Sequence, residues 1–513
     1  MAEYYAQRLA HWTNVRQSAA GAMRFTAALK AKRCMRFYED GIARCNGKWP
    51  EDQVTGEEYA ETGAHDLDLI GENSLYSQIC IARTGAGQAT LAKWLQNPVG
   101  PQEAFGRQEA IRELRDRVEL REAIARCEEG GGRNTLNSWA QSKAEDFPSW
   151  TRPLAVLFFL IALTGAILAI TGKVPKEVAF AAAVPEALLG AALSARTKPV
   201  LEAITLPVLD LPLLLDIIHI IQQQTFTSPF LKNLQAAVQD TSHLKHLKNI
   251  GWAAEFRRNE IFAAFSYFLL WGTQVAAAAE QWRFRHAQDL QRWLDAVGAF
   301  EALHTLAAYT YEHNHHVFPE LADSPEPFFQ ADDLGHPLLP YDQCVRSSIR
   351  LGGADPHLYI VSGSNMSGKS TFLRAIGLNV ALGWAGAPVR AKSLRMSRLI
   401  TGASIQVQDS LVAGTSRFLA EAQRLRDIIG KANLFLLDEI LSGTNSADRR
   451  VAAEVIAHTL VRKGSIGLIT SHDLALTEIE GAANIHFENY HLCQGVVTRS
   501  NALEILRSVG IEV

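Results

Sequence analysis

The segment LYIVSGSNMSGKST, residues 358–371, limits what the chain can fold into more than any other part of it. Its first four residues are apolar, as in a buried strand, and apolar residues at helical spacing follow the segment. Between them lies the pattern G-x-x-x-x-G-K-S/T, which forms a phosphate-binding loop when a strand precedes it and a helix follows. The sequence therefore predicts an α/β domain that binds a nucleotide.

Each residue type in this loop has a chemical role. The glycines let backbone N–H groups curl around phosphate oxygens, and the positive end of the following helix adds to the attraction. We expect Lys369 to reach the β- and γ-phosphates of ATP and the Ser370 hydroxyl to hold Mg²⁺. The residues expected to contact the nucleotide are Gly363, Ser364, Asn365, Met366, Ser367, Gly368, Lys369, Ser370 and Thr371.

The segment NLFLLDE, residues 433–439, has the continuous apolar character of a buried parallel strand and ends in two acids. We expect Asp438 to enter the Mg²⁺ shell through water, and Glu439 to orient or deprotonate the attacking water. An isolated Asp-Glu pair at the end of a strand is commonly no more than solvated. Its position after a phosphate loop favours the catalytic interpretation.

Two weaker signals accompany this pair. His472 ends another short apolar run, at a position where ligands of open α/β sheets bind, and we expect it to sense the γ-phosphate. Ser416 lies in a Gly/Ser-rich turn before an amphipathic helix, whose N-terminus can donate to a phosphate. Alone, the histidine is typical of a surface residue and the serine of an ordinary helix cap, so both predictions depend on the stronger motifs.

Net charge and cysteine content limit which binding sites and which cellular compartment the chain is suited to. The net charge is −4, so binding to DNA requires a local basic patch. The six cysteines include no C-x-x-C pair, which argues against a zinc site or a disulfide framework and suits a reducing compartment. The first residues carry no apolar core of the secretory kind, so we expect no cleaved signal.

An uncharged apolar run covers residues 154–172, and a bilayer-spanning helix needs about 20 residues. A polar turn leads to a second apolar run, residues 178–193, which contains Glu186. A charge near the middle of a span costs about 2.5–3.5 kcal/mol on insertion scales. The first run is therefore the stronger membrane signal.

We predict that residues 154–193 form a transmembrane hairpin with both ends in the cytoplasm, which leaves the helical and ATP-binding parts there. Arg152 and Arg196 outside the hairpin favour this orientation, although lysines in the turn weaken the asymmetry. A pair of buried core helices is the alternative. A further apolar run, residues 261–279, contains polar residues and continues into a charged amphipathic pattern, so we expect a core helix there.

Shifts in composition divide the chain into three parts, within the two to four domains that such a length allows. Pro207, Pro212 and Pro229 are expected to break the helices that follow the hairpin. The predicted parts are an N-terminal helical segment and linker at 1–65, an all-α domain at 66–327 and an α/β domain at 328–513.

Together these motifs resemble those of the MutS family of DNA mismatch-repair ATPases, within the ABC-type ATPase group. The loop is close to the usual T-G-P-N-M-G-G-K-S-T: Asn365 and Met366 are the distinctive pair, while Ser364 and Ser367 depart from it. AGTSRFLAE, LLDEILSGTNSADR and TSHDLALT are similar to the family's signature, Walker B and switch-histidine segments. The likeness is close over residues 351–513 and loose upstream.

The resemblance implies an α/β P-loop ATPase of ABC type at the C-terminus, preceded by an all-α core and lever domain into which the hairpin is inserted. In the family two ATPase domains pair, and the signature serine of one faces the γ-phosphate held by the other. The resemblance therefore implies a homodimer in which Ser416 acts in trans. It also implies ATP and Mg²⁺ as cofactors and DNA, mismatched or branched, as partner.

Two departures from the family leave the function open. No mixed α/β mismatch-reading domain is recognisable before Asp66, and the family's soluble members have no hairpin like 154–193. The triplet Phe37-Tyr38-Glu39 matches the family's Phe-x-Glu wedge, but its helical, basic surroundings indicate a chance match. We expect an ATP-gated DNA clamp related to mismatch repair; the alternative is a membrane-tethered mechanochemical ATPase that acts on a protein partner.

Overall fold

The computed structural model describes residues 1–18, 22–128, 130, 135–143, 147–148, 150–256, 270–364, 367–405, 417–441 and 446–496. Within these residues the regular structure up to Glu312 is helical, and two β-sheets with three long helices follow. This order confirms the prediction of a mostly helical part followed by an α/β part.

Several helices of the first part begin at residues that are typical of helix N-termini. The hydroxyl oxygens of Ser74 and Thr84 accept hydrogen bonds from the backbone N–H groups of Ser77 and Gly87, as N-cap residues do. Pro229 starts a helix, which confirms the predicted break there. The helices are α1 (Ala2–Ser18), α2 (Ala22–Cys45), α3 (Leu75–Ile79), α4 (Gly85–Gln96), α5 (Pro101–Leu114), α6 (Val118–Arg126), α7 (Thr135–Gln141), α8 (Thr151–Ile170), α9 (Lys176–Gln222), α10 (Pro229–Ala237), α11 (Ser242–Phe256) and α12 (Trp271–Glu312).

Helix α12 is the axis of the helical part, because α4, α5, α9 and α11 all pack against it. Its contact with α4 is close: a Cβ added at Gly298 would lie 2.8 Å from the carbonyl oxygen of Ala86. The buried carboxylate of Glu301 accepts hydrogen bonds from the backbone N–H groups of Arg83 (2.8 Å) and Thr84 (3.2 Å). These contacts hold the start of α4 against the axis. Of the core helix predicted over 261–279, residues 261–269 lie outside the described part.

The first two helices pack against each other and onto the end of α12. Arg44 of α2 forms a buried salt bridge with Glu312, with 2.8 Å between Nη2 and Oε1. Tyr38, the middle residue of the Phe37-Tyr38-Glu39 triplet, is fully buried and donates from its hydroxyl to Glu122 of α6 (2.6 Å). The triplet therefore lies in a packed helix, which agrees with a chance match to the wedge.

Helix α9 is continuous through four prolines. The prediction that Pro207 and Pro212 break the helices was wrong, since both lie inside α9. A proline inside a helix removes one backbone hydrogen bond and costs about 3 kcal/mol or more. The second half of α9 offsets this cost by burying apolar side chains such as Leu211, Leu214 and Ile217 in the core of the helical part.

The hairpin of α8 and α9 exposes a large apolar surface. In the 18-residue apolar stretch of each helix, 6% is buried in α8 and 44% in α9. By length and composition alone, both helices could cross a membrane. Glu186, by contrast, is 3% exposed, and its carboxylate oxygens have no hydrogen-bond partner among the described residues. Large exposed apolar surfaces are uncommon on soluble monomers and are typical of surfaces that meet a partner or a membrane. The exposed side chains of the hairpin include Val156, Leu157, Leu160, Ile161, Leu163, Ile167, Ile170, Val178, Phe180, Val184 and Leu188.

Two sheets form the second part. Their strands are β1 (Glu320–Leu321), β2 (Phe328–Leu334), β3 (Ser347–Gly352), β4 (Leu358–Ser362), β5 (Ser393–Met396), β6 (Thr401–Ser404), β7 (Leu434–Asp438), β8 (Ile466–Ser471), β9 (Ala483–Glu488) and β10 (His491–Gln494). The larger sheet has the order β10-β9-β4-β8-β7-β6 and is parallel except for the β9–β10 hairpin. The smaller sheet has the order β1-β5-β2-β3. Its first strand begins at Glu320, ahead of residue 328, where the domain was expected to start.

Helix α13 (Lys369–Ala385) joins the two parts; helices α14 (Arg417–Lys431) and α15 (Ser446–Arg462) follow it in the chain. Apart from Arg374, α13 is buried from Phe372 to its end. It packs against β7 and β8 and also against α4 and α5. A Cβ at Gly377 would meet the side chain of Leu67 at 2.5 Å. One apolar cluster therefore runs from the helical part into the sheets.

Gly298→Ala is expected to lower the melting temperature, because the new methyl group would meet the carbonyl oxygen of Ala86, and overpacking of this kind costs about 1–3 kcal/mol. The matched control is Gly430→Ala in α14, where no atom lies within 4 Å of the added Cβ. That change should stabilise by up to about 1 kcal/mol through helix propensity. Thermal unfolding measures both, and a Gly298→Ala variant as stable as Gly430→Ala would contradict the close contact.

Candidate functional site

The sequence motifs meet at one edge of the larger sheet. Strands β4, β8 and β7 are parallel neighbours, and their register pairs Ser362 with Ser471 and Asp438 with Thr470. Their carboxyl ends therefore reach the same edge, where ligands of open α/β sheets bind. The phosphate loop follows β4, the acid pair ends β7, and His472 follows β8.

The phosphate loop surrounds its own lysine. Gly363 and Gly368 have φ angles of 149° and 104°, which side chains disfavour, so both positions need glycine. Lys369 is 4% exposed, and its ammonium donates to the carbonyl oxygens of Gly363 and Ser364, both at 2.9 Å. Burial lowers the pKa of Lys369, and two nearby carboxylates oppose that shift. The cation thus lies inside the loop, where a phosphate anion would compete with the carbonyls for it.

Other residues of the loop remain accessible. Ser364 and Ser367 are partly exposed and Thr371 is exposed. The hydroxyl oxygen of Ser367 itself is buried and has no hydrogen-bond partner among the described residues. Asn365 and Met366 lie outside the described residues, and their contacts with a nucleotide stay predictions.

Asp438 lies between two hydroxyl groups. Its Oδ2 accepts a hydrogen bond from Ser370 Oγ (2.5 Å), and its Oδ1 accepts one from Thr470 Oγ1. Hydroxyl and carboxylate oxygens are ligands that Mg²⁺ prefers, directly or through water. The two residues predicted to hold Mg²⁺, Ser370 and Asp438, are therefore adjacent and chemically suitable.

Glu439 and His472 form an exposed pair, with 2.6 Å between Glu439 Oε1 and His472 Nε2. Glu439 has a φ of 47°, an uncommon conformation for a residue other than glycine. Its backbone N–H donates to Thr470 Oγ1 (3.1 Å). A carboxylate and an imidazole at this distance are both groups that general acid–base catalysis uses. The predicted residues that the structure brings together are Lys369, Ser370, Asp438, Glu439 and His472.

Thr470 is a site residue that sequence reasoning missed. Its hydroxyl donates to Asp438 and accepts from the backbone of Glu439. A signal was present, because a polar residue inside a buried strand needs a hydrogen-bond partner. Which residue supplies that partner depends on strand order, which neither strand specifies alone.

Helix α14 contacts the turn that follows Glu439. Glu421 is 2% exposed, and its Oε1 accepts a hydrogen bond from the backbone N–H of Leu441 (2.6 Å). The carbonyl oxygen of Leu441 accepts from Arg449 Nε of α15 (3.2 Å). Ser416 precedes α14 and lies outside the described residues, so its action on the γ-phosphate stays a prediction. The helix that begins just after it nevertheless contacts the turn after β7.

A segment before α3 links the helical part to two helices of the site. Asp66 forms a salt bridge with Arg424 of α14 (Oδ2–Nη1 2.5 Å). Arg374 of α13 donates to the backbone carbonyl of Asp66 (2.9 Å) and pairs with Asp68 (3.2 Å). A cleft of about 680 Å³ adjoins these contacts, between residues 60–69, α4 and the two site helices. A shift of α13 relative to α14 would therefore strain this segment.

Known proteins resemble this chain mainly through its second part. Residues 359–511 match the family model described as MutS domain V. A probable DNA mismatch repair protein Msh6 from Drosophila melanogaster is 31% identical over 195 residues, covering 36% of this chain and 16% of the relative. An endonuclease MutS2 from Gemmatimonas aurantiaca is 30% identical over 243 residues, covering 42% and 29%. A DNA mismatch repair protein MutS from Haloquadratum walsbyi is 30% identical over 258 residues, covering 46% and 26%.

These similarities support a relationship between the α/β part of the chain and MutS proteins. The chain spans less than a third of the length of each of these three relatives. The α/β part is the region that resembles MutS domain V, and it contains the phosphate loop, the acid pair and His472.

Glu421→Ala is expected to loosen the turn after β7, because the Leu441 N–H would lose its acceptor, and an unsatisfied buried donor costs about 1–3 kcal/mol. Glu421→Gln keeps an acceptor oxygen of similar reach and serves as the control. Hydrogen exchange of the peptide that contains Leu441 should accelerate in the alanine variant and change little in the glutamine variant. Equal exchange in both would show that this hydrogen bond does not hold the turn.

Proposed function

We propose that this chain is a MutS-like enzyme that binds and hydrolyses ATP with Mg²⁺, and that its nucleotide state gates a clamp on mismatched or branched DNA. The observation that carries the proposal is the meeting of a phosphate loop, an Asp-Glu pair and a histidine at one edge of a parallel sheet. Together they offer a phosphate cradle, metal ligands and a general base, which hydrolysis of a phosphoanhydride requires.

The residues of the site divide the work. Lys369 leaves the loop carbonyls for the β- and γ-phosphates, because an anion offers stronger, charge-assisted hydrogen bonds. Ser370 and Asp438 hold Mg²⁺, which neutralises charge on the phosphate oxygens when bound. Glu439 accepts a proton from the attacking water, and His472 orients its carboxylate and senses the γ-phosphate.

The proposed working unit is a homodimer that forms through the ATPase domains. Ser416 of one chain would face the γ-phosphate held by the other, as the family resemblance implies. Within one chain, Glu421 binds the turn after Glu439, so the helix that follows Ser416 is coupled to the catalytic pair. When the dimer closes, a partner nucleotide that contacts Ser416 at the start of α14 would therefore affect Glu439 through Glu421.

In this proposal residues 66–327 form a core and lever domain, residues 328–513 form the ATPase domain, and residues 1–65 form an N-terminal helical segment. The backbone and side chain of Asp66 contact both α13 and α14. The apolar cluster also continues across the boundary. A movement of α13 or α14 is therefore passed to the helical part, as a clamp that opens and closes on DNA requires.

Support for DNA as the load comes from the relatives, two of which are named as DNA mismatch repair proteins. The net charge of −4 means that contact with phosphates must come from a local patch. Exposed lysines of α2, including Lys30 and Lys32, are among the basic groups available for it.

The purified chain is expected to hydrolyse ATP at a rate that changes when homoduplex, mismatched or branched DNA is added. Lys369→Ala should abolish nucleotide binding, because the phosphate cradle loses its cation. Glu439→Gln should still bind ATP, lower kcat by about 10²- to 10⁴-fold and accumulate a closed dimer. Turnover assays, binding of a fluorescent ATP analogue and light scattering measure the three effects, with Val451→Ala, an exposed residue of α15, as control.

Two outcomes would overturn separate parts of the proposal. Normal turnover in Glu439→Gln would remove this residue as the base. If no nucleotide state gave salt-sensitive DNA binding, DNA would be excluded as the load, while the ATPase assignment would stand.

A second candidate function is that of a membrane-tethered mechanochemical ATPase that acts on a protein partner. The exposed apolar surface of α8 favours it. With 20 residues and a rise of about 1.5 Å per residue, α8 matches the hydrocarbon core of a bilayer, which is about 30 Å thick. In this proposal residues 154–193 lie in the membrane, and the helical and ATPase domains lie in the cytoplasm.

A double variant tests the tether. Leu157→Lys with Ile161→Lys places two charges on the exposed face of α8, at about 2.5–3.5 kcal/mol each near a span centre. We expect the variant to stop floating with lipid vesicles in a density gradient. Val451→Lys with Val455→Lys, exposed at the same spacing on α15, is the matched control and should float like the parent. A parent chain that does not float would exclude the tether.

A further inference from the structure

The β9–β10 hairpin carries four residues of metal-binding types, two histidines, a glutamate and a cysteine, on one face. His486 pairs with Cys493 across the hairpin, and Glu488 pairs with His491. Directly paired residues of antiparallel strands lie on the same face, and so do residues two apart. Phe487, between the two ligands of β9, is buried in the core, so the ligand face points away from the core.

Three of these side chains converge on one point. A ligand atom from each of His486, Glu488 and Cys493 lies within 4.8 Å of the other two. Two atoms that each lie about 2.1 Å from a tetrahedral zinc ion are about 3.4 Å apart. Glu488 is exposed and the other two side chains are partly exposed, so small rotations close this difference without a change in the backbone register.

The histidine of this group has a hydrogen bond that suits a metal ligand. His486 Nδ1 lies 3.1 Å from the carbonyl oxygen of Gly495. A carbonyl oxygen only accepts, so the hydrogen bond places the proton on Nδ1 and leaves the lone pair of Nε2 free. Metal-bound histidines generally donate their second ring N–H in this way to a carbonyl or carboxylate, which sets the tautomer and the ring direction.

We propose that His486, Glu488 and Cys493 bind a thiophilic divalent cation of the Zn²⁺ class. Imidazole, carboxylate and thiolate are all zinc ligands, and the soft thiolate selects against Mg²⁺. On binding, the thiol proton of Cys493 passes to solvent and a metal–sulfur bond replaces the S–H bond, with no change of oxidation state. Water or the imidazole of His491 completes a four-coordinate shell.

An ion at this point would stiffen the wall of the nucleotide site, a consequence that rests on the proposed function. Strand β9 pairs with β4, where His486 lies opposite Ser362, the last residue before the phosphate loop. In the turn of the hairpin, the ring of Tyr490 lies 3.2 Å from where a Cβ on Gly368 would stand. The metal would therefore hold the hairpin against the loop and raise its affinity for ATP.

The test uses the full chain, freed of metal by a chelator under reducing conditions, with Co²⁺ as a spectroscopic probe. One equivalent of Co²⁺ is expected to produce a thiolate-to-metal charge-transfer band in the near ultraviolet, and Zn²⁺ should displace it. Cys493→Ser should lose the band, and His486→Ala should lose stoichiometric binding. Cys344→Ser, a change at another free cysteine in the same domain, is the control and should keep both.

Retention of the band in Cys493→Ser would overturn the site, as would binding by the parent chain no tighter than by His486→Ala. Thermal unfolding gives an independent measure, because Zn²⁺ should raise the melting temperature of the parent and not that of Cys493→Ser. ATP affinity with and without Zn²⁺ is measured separately. If the ATP affinity does not change while the Co²⁺ band is present, the metal site stands and only its coupling to the nucleotide site is wrong. If the chain does not bind ATP at all, the proposed function fails, and the Co²⁺ band still decides whether the metal site exists.

Discussion

The burial of α13 is the constraint on which the rest of the arrangement depends. Its first turn carries Lys369 and Ser370, and the remainder of the helix fills the space where the larger sheet meets the helical part. A helix packed along its whole length cannot tilt alone, because close contacts such as that of Gly377 with Leu67 would break. The phosphate loop at one end of α13 and the helices α4 and α5 along its length are thus parts of one packed unit.

Much of the site was predictable because its signals are local. The strand–loop–helix around Lys369 and the acid pair that ends at Glu439 each depend on a few consecutive residues. So does the apolar run that ends before His472. A general property of parallel sheets then places their strand ends at one edge. No knowledge of the rest of the chain was needed for that step.

Contacts between distant segments escaped prediction. The bond from Thr470 to Asp438 depends on β8 lying beside β7, and the bond from Leu441 to Glu421 depends on where α14 returns to the sheet. The break predicted at Pro207 came from a local cost, while the burial that offsets it comes from tertiary packing. The argument against zinc considered only cysteines close together in the sequence, whereas the residues proposed to bind a metal lie on the two strands of the β9–β10 hairpin.

The continuity of α9 has a mechanical consequence. At about 1.5 Å per residue, its 47 residues form a rod of about 70 Å whose first part is exposed and apolar and whose second part is packed into the helical core. Because the helix is uninterrupted, a rotation of one end is passed along it to the other, and its four prolines are the places where it can bend. In the membrane-tethered arrangement the bilayer and the enzyme would therefore share one orientation. A change in bilayer thickness that tilts the rod would then load the catalytic part directly, and each nucleotide-driven movement would in turn press on the lipid.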